Sequence, residues 1–351
     1  MTAESNGEAF KPSWIDRFIH WVEKLPLRPW IFYLVLGIVL ILVQLLFLWL
    51  DSGLYAEELL PVILPVIIFN ALAVPYLLAL IQLLDKQALN ALKVMKPVLD
   101  MTDQEFEQYA YKLSTMPVLA PLVVGLVMMA IVILTPLVAI EPVRYAALEQ
   151  LSVFRAVFRV VDISSAFLFG VVLYHTIRQL RLVNEINSKH VGIDLFHLKP
   201  VQAFSRLTAS TALGMVVFFY GWMVINPELL TDPVIIGYAL LFTILAVLVF
   251  VWPLWGVHRR METEKEGALH EIDLRFEALF AEFNQLVASG DYAAAEKLNG
   301  TIMSLEVQYR RISAIPTWPW RSETARVVLT AIALPLMLMI VQFFVQQALS
   351  G

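Results

Sequence analysis

Few residues in this sequence have the type and spacing that chemistry requires. Histidine and carboxylate form one suggestive cluster, His190-x3-Asp194-x2-His197, beside the helical pair of His258 with Glu262 that an ordinary surface helix also makes. Two imidazoles and a carboxylate at that spacing suit a metal ion, and solvated side chains produce the same pattern. Charges within apolar stretches form the second candidate, because burying them in a bilayer is costly and tends to serve a purpose. Arg155, Arg159 and Asp162 lie in one such stretch. Arg159 and Asp162, three apart, pair directly on a helix, and Arg155 lies on a nearby face. With Ser164 and Ser165 close by, the group reads as an ion or anion site, or as a snorkelled arginine with a local counter-ion. The third candidate is Asn70, flanked by Pro65 and Pro75. A proline-broken helix frees carbonyls for a transport site at the membrane midplane, whereas a lone Asn is also an ordinary interhelical hydrogen-bonding partner. Pro121 and Pro136 suggest a similar break in the following apolar stretch.

Other chemistries are excluded. Cysteine is absent, which removes disulfides, thiolate nucleophiles and thiolate-held metals. His270-Glu271 continues as Ile272-Asp273-Leu274, so no H-E-x-x-H zinc motif is present; a G-x-S-x-G elbow and a phosphate-binding G-x-x-x-x-G-K-[ST] loop are missing too. No cofactor is implied. The net charge of -5 provides no basic stripe for nucleic acid.

The elements that must position these residues follow from composition. Of 351 residues, 59% are hydrophobic and 16% charged, and the mean hydropathy is +0.73. Soluble domains carry about 25% charged residues. This composition rules out a soluble globular enzyme. Crossing a hydrocarbon core of about 30 Å takes about 20 apolar residues, and seven stretches reach that length. They run from Pro29 to Leu50, Leu59 to Leu84, Pro117 to Ile140, Phe154 to Thr176, Ala203 to Ile225, Val234 to Val257 and Ala325 to Gln346. The second, carrying Pro61, Pro65 and Pro75, is expected to be broken or tilted.

Lysine and arginine are retained on the cytoplasmic side. An internal N-terminus places all of the 25 basic residues there except Arg144, Arg155 and Arg159, and seven spans then leave the C-terminus outside. All nine tryptophans fall at or near predicted span boundaries, as amphipathic rings prefer. The stretch ahead of the first span lacks the pattern of a cleavable signal. There, Ser13 and Asp16 have capping-box spacing, and Trp14, Ile15, Phe18, Ile19 and Val22 line one face of a short helix at the headgroup level, with Arg17, His20 and Lys24 opposite. Thr102 and Glu105 repeat the capping box later.

The clearest soluble pattern lies between the last two spans. Leu269, Ile272, Phe276, Leu279, Phe283 and Leu286 step by alternating threes and fours, as do Ala295, Leu298, Ile302, Leu305, Tyr309 and Ile312. Both are a and d seams of a coiled coil, separated by Ser289-Gly290-Asp291, where glycine ends one helix and aspartate caps the next. No proline separates Pro253 from Gly290, so the sixth span is expected to run on into the first seam as one rod.

The sequence therefore describes an all-α polytopic integral membrane protein with six to seven transmembrane helices and a cytoplasmic antiparallel helical hairpin. Its parts are an interfacial N-terminus (residues 1–28), six spans (29–257), the hairpin (258–323) and a seventh helix with an extracytoplasmic C-terminus (324–351). The bilayer is its first partner. Leu269, Phe276, Phe283, Leu298 and Leu305 are the residues through which the hairpin would assemble with a second copy or a cytoplasmic protein. The functional expectation is a non-enzymatic scaffold or signal relay in a bacterial inner membrane, with a transporter or channel built on the proline-interrupted spans as the alternative.

Overall fold

The structure, a computed structural model, describes residues 10–53, 56–137, 151–189, 202–226, 233–320 and 322–350. These residues form an all-helical protein. Its helices are α1 (Trp14–Glu23), α2 (Pro29–Ser52), α3 (Ala56–Met95), α4 (Asp103–Ser114), α5 (Leu119–Leu134), α6 (Ser152–Lys189), α7 (Ala203–Ile225), α8 (Pro233–Ser289), α9 (Tyr292–Ser313) and α10 (Ser322–Ser350). Among the described residues, six stretches, in α2, α3, α5, α6, α7 and α8, are long and apolar enough to cross a membrane. The seventh expected span is helical as α10, packed on α7 and α8, but is not one of those six.

Helices α3 and α6 form the centre. Helix α3 packs on α2, α6 and α7, and α6 packs also on α5 and α8. Their contact buries Leu77, Ile81, Leu84, Val172 and Val183. The outward faces instead present Leu34, Ile38, Leu42, Leu126, Leu241 and Ile244, residues that a lipid environment covers without cost. Close packing is most demanding between α5 and α6. A Cβ on Gly170 would stand 2.7 Å from the Val124 carbonyl oxygen, so only glycine lets the two backbones approach.

The prolines do not break α3. All three lie inside one 40-residue helix, so the expectation of an interrupted second span is corrected. Proline in a membrane helix is tolerated where neighbours hold the helix and re-satisfy the freed backbone groups, and α3 is enclosed on three sides. In the next span, Pro121 lies in the first turn of α5, where a missing N–H costs nothing, and Pro136 in the 3-10 turn Thr135–Leu137 that ends it. Helix α3 is thus continuous past all three of its prolines.

The local signals at the α1 side hold. Ser13 and Thr102 each complete a capping box, with Asp16 and Glu105 returning the bond to the cap backbone. In α1, Ile15, Ile19 and Val22 are buried, while Arg17, His20 and Lys24 are exposed. The box also ties α1 to the start of α5: Met116 N donates to Asp16 Oδ2 at 2.9 Å and Ser13 N to Met116 O at 3.0 Å. On the far side, a cap spans the chain. Asp51, at the end of α2, accepts from Val153 N at 2.9 Å and Phe154 N at 3.1 Å, so its carboxylate caps the N-terminus of α6.

Helix α8 runs 57 residues without interruption through Pro253, about 85 Å at 1.5 Å per residue, and joins a membrane span to the first arm of the hairpin. Gly290 turns the chain with φ of 83°, and Asp291 caps α9 by accepting from Ala294 N at 3.0 Å. Helix α9 lies back along α8, and Ile272, Ala295, Ile302 and Leu305 of the seams are buried.

Candidate functional site

The residues singled out in the sequence do not converge on one site. Arg159 Nη1 stands 3.5 Å from Asp162 Oδ2, so the expected pair forms, with Arg155 half-buried one turn away. The serines do not extend it. Ser164 Oγ donates to Val160 O at 2.6 Å and Ser165 Oγ to Asp162 O at 2.8 Å, each bonding its own helix backbone. Asn70 is 4% exposed and its Oδ1 has no hydrogen-bond partner. His190, Asp194 and His197 lie outside the described residues. Among the described residues, no group of three His, Asp or Glu side chains is placed to hold a metal.

In the hairpin, Leu305 is buried, and Leu269, Phe276, Phe283 and Leu298 are half-buried. The seams thus hold α9 against α8, and Tyr309, expected inside, is exposed. What remains open is the edge of the seam: Phe280 stacks on Phe276 at 5.9 Å and is 49% exposed, with Val287 beside it and Met303 and Val307 exposed on α9. An apolar stripe wider than one partner helix can cover leaves such an edge uncovered.

The hairpin joins the membrane helices through an aromatic column that sequence reasoning did not find. Phe250 and His258, both on α8, are eight residues apart, about 12 Å along the helix. Trp320 stacks on Phe250 at 4.6 Å, Trp318 on Trp320 at 4.6 Å and His258 on Trp318 at 3.8 Å, so two rings from the returning segment fill the interval between two rings of the rod. The prolines of Ile315-Pro316-Thr317-Trp318-Pro319-Trp320 keep that segment non-helical, a run of bends that brings both indoles to the rod. Both tryptophans thus pack on the rod. His258 Nδ1 donates to Thr317 O at 3.2 Å, which fixes the imidazole edge. Lys265 Nζ donates to Ser313 O at 2.7 Å and Ile315 O at 2.9 Å, satisfying carbonyls at the end of α9. Arg260 Nη1 donates to Asn187 O at 2.6 Å, which fastens the rod to the last turn of α6.

A second cluster, also missed, lies where α3 and α6 reach the same side of the molecule. His175 is fully buried with Nε2 2.9 Å from Asp85 Oδ1, and Gln179 Nε2 reaches the same oxygen at 3.1 Å and Leu113 O at 2.8 Å. Gln82 Nε2 donates to Glu23 Oε1 at 2.8 Å, with Lys86 Nζ 3.2 Å from that oxygen. Arg178 Nη1 donates to Lys112 O and Thr115 O, both at 2.5 Å, and its guanidinium lies over the Phe10 ring. These bonds dock α1 and α4 onto the central helix pair. Farther out, Tyr109 OH donates to Glu185 Oε1 at 3.2 Å; burial and that carboxylate push the phenol up to about 12, so it stays a donor at any physiological pH. A usable signal was present in the i, i+3 and i+4 run Gln82, Asp85, Lys86 and in His175 with Gln179, polar residues on one face at the end of an apolar stretch.

Compared with protein families, curated proteins and solved structures, the chain matches none of them. The geometry of these two clusters is therefore the basis for a functional reading.

Proposed function

We propose that this multi-pass membrane protein is a non-enzymatic assembly and relay protein, whose hairpin projects into the cytoplasm and pairs with that of a second copy. One observation carries the reading: the single unbroken helix α8, which makes a membrane span and a hairpin arm one rigid body, gripped where it leaves the membrane by the aromatic column and by Arg260. A small rotation or shift of the span then displaces the hairpin tip without loss in an intervening loop. The open edge at Phe280 and Val287 supports pairing of hairpins, since copies in one bilayer meet side by side and in the same orientation.

The basic residues support an internal N-terminus and a hairpin in the cytoplasm. The length and apolar character of α10 support a seventh crossing that carries the C-terminus outside. Because the chain has no cysteine, single replacements test both points. Met303→Cys in membrane vesicles is expected to react from the cytoplasmic face and to give crosslinked dimers with a bis-maleimide. Thr263→Pro breaks the rod between membrane and hairpin and should lower the dimer yield without preventing insertion. Absence of crosslinked dimers from the Met303→Cys protein would sink the reading.

A further inference from the structure

A partly open cleft of about 330 Å³ lies between α1, α3, α5 and α6. Trp14 and Phe18 line it from α1, Val74 and Leu78 from α3, Met129 from α5 and Phe167 from α6. We propose that this cleft is a binding site for an anionic phospholipid of the leaflet on the α1 side, with an acyl chain in the cleft and the phosphate against Arg17 and Lys24.

Three observations select that occupant. The first is depth. Helix α5 begins at Leu119, just beyond the Met116 that bonds to the α1 cap, and Met129 lies ten residues farther on. At 1.5 Å per residue this is about 15 Å, half of a hydrocarbon core of about 30 Å. The cleft thus runs from the level of α1 to the midplane, the reach of one acyl chain. The second is the lining, which is almost wholly hydrocarbon and aromatic. Its one hydroxyl, Ser164 Oγ, is turned back to the Val160 carbonyl. Apart from the Trp14 indole N–H, a polar solute would find no partner there.

The third observation is the division of α1 into three sectors. At 100° per residue, Ile15, Ile19 and Val22 point into the protein and are buried. Trp14, Phe18 and Trp21 form the adjoining sector, which meets the cleft, and Trp14 lies 6.0 Å from the Phe167 ring. Arg17, His20 and Lys24 form the last sector and are exposed. A headgroup above the cleft therefore meets aromatic rings at the ester level and cations at the phosphate level. This arrangement favours an anionic lipid over a zwitterionic one by electrostatic attraction. The site is independent of the relay reading, since it uses neither α8 nor the hairpin.

The test uses full-length protein in nanodiscs containing a phosphatidylglycerol with a diazirine in its acyl chain, with labelled peptides mapped by mass spectrometry. Labelling is expected on the peptides that carry Phe18 and Phe167, and unlabelled phosphatidylglycerol should compete at least fivefold better than phosphatidylcholine. Ser164→Trp fills the cleft and should reduce labelling there at least fivefold, while the lipid-facing side of α2, from Leu34 to Leu42, is labelled as before and reports a folded protein. Where Ser164→Trp alters the α2 pattern, Met129→Trp replaces it as the filling variant. Arg17→Gln with Lys24→Gln should keep chain labelling and remove the preference for the anionic headgroup. Equal competition by both lipids, or cleft labelling that survives filling, means ordinary boundary lipid and overturns the proposal.

Discussion

Leu305→Ala tests whether the hairpin is held by its seam. Leu305 is 7% exposed in α9, between Ile302 at 9% and the arm of α8 that carries Ile272 at 4%. Truncating a buried leucine costs about 2–5 kcal/mol, and the low end applies to a two-helix contact that relaxes around the gap. A loss of about 2–3 kcal/mol corresponds to roughly a 30- to 150-fold increase in the population of the opened arm, at 1.4 kcal/mol per tenfold. Hydrogen exchange of full-length protein in nanodiscs reads that population directly, because local opening of α9 limits exchange of its own amides. Amides of residues 298–309 should exchange faster by that factor, while those of α3 and α6 stay unchanged. Met303→Ala, at a position 60% exposed two residues away, should alter exchange less than threefold. Equal effects of the two substitutions would mean that α9 is not held through the predicted seam, and the coiled-coil reading would fall with it.

Asp51→Ala should cost about 1–2 kcal/mol, since two α6 amides lose their acceptor; thermal unfolding in detergent measures it, and an unchanged midpoint would show that the cap carries no weight. Gly170→Val should destabilise by at least about 1–3 kcal/mol through its clash with the Val124 carbonyl, whereas Gly237→Ala, with no atom within 4 Å of its Cβ and a place in a helix, should be neutral or stabilising; the same unfolding assay compares them. Asp162→Leu should cost about 1–2 kcal/mol because Arg159 keeps its charge without its carboxylate, and Arg159→Leu in the same chain should restore most of it. A double variant no better than the single one would refute a purely structural pair.

The parts legible from sequence are those whose physics is local. A capping box needs four consecutive residues, so Ser13 with Asp16 and Thr102 with Glu105 could be read off directly. The hairpin needs only two regular seams and a glycine at the turn, and positive φ at Gly290 completes the pattern. The proline rule failed in α3 because it describes an isolated helix in water. There, a lost hydrogen bond and a steric clash end the helix, whereas packing on α2, α6 and α7 sustains it here. The two clusters that link the elements were not legible. Asp85 and His175 come together across 90 positions, and Phe250 finds Trp320 across 70. No spacing rule within one helix reports which faces of two distant helices will meet.

Those long-range bonds single out α6 as the element through which the molecule is joined. Its N-terminus is capped by Asp51 from α2, its central turns receive Asp85 from α3, and Asn187 O in its last turn receives Arg260 from the rod. All three attachments lie on one helix of 38 residues, about 57 Å long. The Arg260 contact on α8 lies two residues beyond His258, just past the end of the aromatic column. The column and the Lys265 bonds to Ser313 O and Ile315 O hold the rod to the returning segment, so under the proposed relay a displacement of α6 would reach the hairpin through this contact rather than through a loop. The membrane helices and the hairpin thus share one mechanical joint, and its strength rests on stacked rings and backbone acceptors rather than on exposed ion pairs that salt would screen.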